Sequence, residues 1–219
     1  MMKKLAFVLL FVALVFLATQ VKLSTMWGAS GQYFTLYEFL GPLPAAFLGP
    51  VFGAAVIIIA KSANMLISGS TWTLFDMARV FTMVFAAWYF ASYKKNLALL
   101  AVPLICMALF ILNPIGGQAW YYSLYWLIPV VAFFAPDNLL LRSLGASFMA
   151  HAVGSVAFLY SIQTVPQLWI ALIPVVAIER FVFAVGVAAA FVLFNTVLNK
   201  FFSGEKALII EKNYAIAKF

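Results

Sequence analysis

YFTLYEFLGPLPAAFLGPVFGAAVIIIAKSANMLISG, residues 33–69, holds two apolar segments, each too short or too broken for an ordinary membrane span, divided at Gly49-Pro50. Pro42, Pro44 and Pro50 each remove a backbone donor and fix φ, so one straight helix from Phe34 to Ile67 is not expected. A short segment over 34–48, a Gly-Pro break and a second helix over 51–67 is the better reading. Lys61 and Asn64 stand near the end of the second segment, inside otherwise apolar sequence. Irregular backbone survives at membrane depth only where protein or a water-filled cavity satisfies its polar groups, and charged or amide side chains there mark a functional interior. A functional site is therefore expected in this stretch.

Composition places the stretch in a membrane. Of 219 residues, 67% are hydrophobic and only 9% charged, which is the balance of an all-α polytopic membrane protein rather than of a soluble core. Thirteen basic against six acidic residues give a net charge of +7. Most of the basic residues sit at segment ends, where the positive-inside rule explains them, so nucleic acid is rejected as a partner. Cys106 is the only cysteine and cannot build a disulfide framework or a metal cluster.

Outward from residues 33–69, the apolar runs can be counted. Residues 5–21 follow a basic start; they resemble a secretory signal without a small-x-small cleavage site and are read as a first span. Residues 22–32 read as a polar loop around Trp27. After the organising pair come runs over 73–93, 96–112, 119–134, 139–160 and 167–199, separated by Lys94-Lys95, NPIGGQ, Pro136-Asp137-Asn138 and SIQTVPQ. There are eight apolar segments. They make six transmembrane spans if 34–48 and 51–67 are a re-entrant or short helix pair, and eight if both cross. Either count puts both termini and Lys94-Lys95 in the cytoplasm. Residues 1–200 form one integral domain, and 201–219 a short basic tail that either lies on the membrane surface or frays.

In this N-in/C-in arrangement the charged residues within the spans fall in the outer half. Glu38, Asp76 and Glu179 face Lys61, Arg79 and Arg180, and unpaired charge at depth costs from about 2.5 kcal/mol upward, so pairing is expected. Asp76 and Arg79 share a face at i, i+3; Glu179 and Arg180 leave their helix about 100° apart and are expected to find other partners. His151 is either a ligand contact or a helix–helix hydrogen bond among small neighbours. Trp27, Tyr33, Trp72, Trp120 and Tyr121 lie on the same side. Together with Asn64 these residues form the candidate ligand site; the alternative is that the charges only lock helices together. The phosphate-binding loop of ATPases, zinc-protease and serine-hydrolase motifs and Cys/His clusters are all missing from the sequence.

Residues 33–66 resemble the second and third helices of the substrate-binding S components of energy-coupling factor (ECF) vitamin transporters, especially the riboflavin type. The resemblance rests on a Gly-Pro-x-x-Gly turn (Gly49, Pro50, Gly53), a next helix carrying Lys61 and Asn64, and a following helix that closes on Lys94-Lys95. It covers roughly residues 5–112. It implies a small plasma-membrane protein that captures a vitamin-like molecule from outside. Delivery then requires a separate transmembrane scaffold and ATPase subunits, with no cofactor and no catalysis by this chain. Two other classes stay open: an intramembrane enzyme using His151 with Glu179 or Asp76, and a structural membrane protein whose buried charges hold helices together.

Overall fold

The computed structural model describes residues 2–25, 33–69 and 73–216. Its first distinctive feature is the break at Gly49, where φ is +88°, a left-handed conformation that favours glycine. Pro50 then opens α4 (Pro50–Ile67) at a position where a helix has no use for the missing N–H. Before the break lie two short helices, α2 (Tyr37–Leu40) and α3 (Leu43–Leu48), meeting at Gly41-Pro42. Every residue of α3 is buried. Gly53 of α4 presses so closely on Ala45 that a Cβ there would overlap the Ala45 backbone.

Side-chain contacts define the two ends of the bundle. The first helix, α1 (Met2–Gln20), runs beside α4. At one end Lys4 Nζ lies 4.0 Å from the centre of the Phe52 ring, and the Phe47 carbonyl accepts from Ile209 N–H at 2.8 Å. This is the tail end. At the other, Asn64 Oδ1 accepts from Thr19 at 3.1 Å and Gln20 at 2.7 Å. There β1 (Lys22–Thr25) and β2 (Tyr33–Thr35) pair antiparallel, Thr25 opposite Tyr33, with a bulge between Lys22 and Ser24. The sequence reads this region as a loop, because strands of three and four residues are too short to show alternation.

Helix α5 (Leu74–Ala91) begins at the hairpin end behind a Thr73 cap and packs along α9 (Leu139–Ser161). Between them the chain forms a 3₁₀ turn (Leu97–Leu100), α6 (Ala101–Leu112), α7 (Pro114–Gln118), a second 3₁₀ helix (Trp120–Leu127) and α8 (Ile128–Phe134). Asn113 and Asn138 cap α7 and α9 by accepting from backbone N–H groups of the first turn. The last helix, α10 (Pro166–Phe202), has 37 residues and is roughly 55 Å long at 1.5 Å per residue. Pro174 interrupts its hydrogen bonding, and Tyr125 donates to the neighbouring Ile173 carbonyl at 2.9 Å.

Among the described residues, α1, α4, α9 and α10 are long and apolar enough to cross a membrane. The chain is an all-α membrane-embedded protein, with one short β-ribbon. In α9, 67% of the apolar window is buried, against 28% in α1 and α4 and 33% in α10, so α9 is the central element. Hydrocarbon is as apolar as a leucine side chain, so packing rather than escape from water must hold these helices together. Ser143, Gly145, Ala146, Ser147, Ala150 and Ala152 on α9 admit close neighbours on several sides. Two aromatic clusters fill the interior. One stacks Phe47 between Phe11 and Phe191; the other gathers Phe110, Tyr122, Trp126 and Trp169.

The tail docks on the bundle. Leu208 is buried, and both backbone groups of Glu211 pair with the Asn195 amide at 2.7 and 3.0 Å. The Glu211 carboxylate accepts from buried Arg142 at 2.9 and 3.0 Å, while Arg142 Nε donates to the Phe90 carbonyl at 2.6 Å. Residues 208–214 thus cover the tail end rather than fraying, because an otherwise unpaired guanidinium there needs an acid.

Candidate ligand pocket

At the hairpin end, α2, α5, α9, α10 and the Trp120–Leu127 helix surround a cavity of about 140 Å³. Five of the candidate site residues read from the sequence line it: Glu38, Arg79, His151, Glu179 and Arg180. The Gly41-Pro42 and Gly49-Pro50 breaks explain the position of Glu38. They divide 37–48 into the short helices α2 and α3, and α2 lands against α10.

Arg180 is the most constrained of the five. Only 5% of it is exposed, and its guanidinium rests against the Phe34–Phe183 edge-to-face pair, 4.8 and 4.5 Å from the ring centres. Its Nη2 is 3.5 Å from Glu179 Oε2. The two side chains therefore pair, contrary to the expectation from their positions; both are long enough to bend back across the 100° between adjacent helical residues. Among the described residues the Arg180 Nε–H has no acceptor. An unsatisfied buried donor on a charged group costs more than the 1–3 kcal/mol typical of neutral groups. Among the described residues Glu38 accepts no hydrogen bond either, although the charges of Arg180, Lys61 and Arg79 act on it.

His151 lies in the aromatic wall. Trp126 Nε1 can only donate, and it does so to His151 Nδ1 at 3.1 Å, so the hydrogen-bond network assigns the ring proton to Nε2. Nε2 faces the Tyr122 hydroxyl at 2.9 Å and Ser155 Oγ at 3.3 Å. Both ring nitrogens are thereby engaged. Replacing His151 by Ala strands two buried groups, and a loss of about 1–3 kcal/mol for each is expected. Thermal melting should show a larger drop for His151→Ala, which strands Trp126 Nε1 and the Tyr122 hydroxyl at once, than for Tyr122→Phe, which leaves Nε2 its Ser155 neighbour; equal melting of the two would contradict this network.

The remaining candidates are placed elsewhere. Asp76 closes a reciprocal cap: its carboxylate accepts from the Thr73 hydroxyl at 2.6 Å, and its N–H donates to Thr73 Oγ1 at 3.1 Å. Lys61 sits 5.0 Å from the centre of the Tyr37 ring, and Asn64 ties α4 to α1. Tyr33 is exposed under Lys22, and Trp120 and Tyr121 are exposed and packed edge to face. Trp27 and Trp72 lie outside the described residues. Sequence reasoning singled out Tyr121 where the structure uses Tyr122, because the Asn113-Pro114 break and the 3₁₀ geometry after it reset the helical phase. Phe34, Phe158 and Trp169 also line the cavity. No sequence signal separates such rings from interfacial aromatics.

No family model matches the chain, and neither a curated protein nor a solved structure matches it.

Proposed function

We propose that this chain is the substrate-capture subunit of an uptake transporter of the ECF type, taking a small vitamin-like molecule from outside the plasma membrane. The observation that carries the reading is the cavity at the hairpin end, lined by a buried arginine with a spare donor and by a carboxylate that accepts no hydrogen bond among the described residues, with aromatic side chains around them. Pockets with apolar walls and a few placed polar groups are how small molecules are bound and oriented. His151 supports capture over acid–base chemistry, since both its nitrogens are held by neighbours. A separate transmembrane scaffold and ATPase subunits would supply the energy; the chain has no phosphate-binding loop of its own.

The same proposal places the hairpin end outside and the tail end in the cytoplasm. The helices α2 and α3 descend from the hairpin to the level of the tail, and α4 returns, as a short pair beside six spans. In a Cys106→Ala background, a cysteine at Gln163 should react with an impermeant maleimide added to intact cells. One at Lys206 should react only after permeabilisation. Labelling of position 206 from outside would reverse the orientation and put the cavity on the wrong face.

Transport itself divides capture from self-sufficient uptake. Purified chain alone in liposomes should bind but not accumulate its ligand, with or without ATP. ATP-driven accumulation by the chain alone would overturn the assignment as a capture subunit.

A further inference from the structure

Resting on the capture reading, we propose that the ligand is a single-ring organic acid carrying a hydrogen-bond donor, its carboxylate held by Arg180 and its donor by Glu38. The size comes first. A cavity of about 140 Å³ is close to the ~150 Å³ that accommodates a benzene-sized molecule. Phe158 and Trp169 give the cavity aromatic lining, and one ring fills a space of that size.

Charge decides the polar groups. The planar guanidinium of Arg180, resting against the Phe34–Phe183 pair, keeps one N–H without an acceptor among the described residues, although Arg180 is only 5% exposed. A carboxylate matches that donor edge in geometry and charge. A phosphate fits less well, because Glu179 stands 3.5 Å from the same guanidinium and Glu38 lines the same cavity, so a second negative charge meets two carboxylates. Glu38 is an acceptor with no donor among the described residues, and a ligand N–H or O–H would complete it.

The test is a titration of the full chain in lipid nanodiscs, read by tryptophan fluorescence, with benzoate, aniline, phenyl phosphate and 3- and 4-aminobenzoate as probes. At least one aminobenzoate should bind on the order of tenfold more tightly than benzoate, and benzoate more tightly than aniline or phenyl phosphate. Arg180→Lys keeps the charge but removes the Nε–H and the planar fork. Through the lost Nε–H it should weaken the acids on the order of tenfold to a hundredfold and leave aniline unchanged. Glu38→Leu, which removes the acceptor, should erase the advantage of aminobenzoate over benzoate while benzoate affinity does not fall, which keeps the proposal testable should the Arg180 variant not fold. Preference for aniline or phenyl phosphate, acid binding indifferent to both substitutions, or no binding of any probe overturns the ligand class. In each of those cases a co-purified neutral, cationic or larger molecule would leave the capture reading standing; its absence as well would remove both.

Discussion

Arg142→Met should destabilise the protein by about 3 kcal/mol, near the lower end of what breaking a buried ion pair costs. The Arg142 side chain is 8% exposed and that of Glu211 28%, so the pair is sheltered without being sealed. Methionine retains much of the apolar stem and packing on Phe90, while the three hydrogen bonds to Phe90 and Glu211 are lost. The effect should be local before it is global. Residues 208–214 lose their main tether and should become sensitive to protease and fast in hydrogen exchange, while the cavity at the other end keeps its affinity. Glu211→Gln, which retains an acceptor, should cost less. A melting temperature and tail protection unchanged in Arg142→Met would show that the tail docks without the ion pair.

Gly53→Val should be at least as damaging, and from its place near the tail end its effect should reach the cavity. A Cβ at position 53 overlaps the Ala45 backbone, and backbone cannot rotate aside as a side chain does. Overpacking of this kind typically costs about 1–3 kcal/mol, with β-branched substituents at the upper limit or beyond it. The helix that must move, α3, is continuous with α2 and Glu38. Displacement of α3 should therefore weaken ligand binding even in protein that still folds. Gly204→Ala provides the control, since a Cβ there meets nothing within 4 Å and the position does not line the cavity. Melting curves and ligand titrations on the two variants separate the outcomes; equal stability would mean that α3 and α4 do not cross as closely as described.

The Gly-Pro breaks and the clustering of charge were legible in the sequence because their causes are local. Proline and glycine restrict φ wherever they stand, so the division of residues 33–69 into short helices and a long one follows from residue types alone. Charge in apolar sequence has few stable locations, which is why Glu38, Arg79, His151, Glu179 and Arg180 all reach the cavity. What could not be read depends on contacts between segments far apart. The pairing of Arg142 with Glu211 spans 69 residues and joins a span to the tail, with no motif to announce it. Lys61 and Asn64, marked by the same depth argument, find their partners in Tyr37 and α1. Depth shows that a polar group needs company; it does not show whose.

Native mass spectrometry of the full chain released from nanodiscs tests the central claim, that the cavity holds a small molecule. Wild-type protein should carry one small organic molecule per chain, and Arg180→Lys, folded by its melting curve, should lose it. Bare protein mass in both, with no probe acid raising the wild-type melting temperature, would contradict the account and leave the buried charges as ties between helices.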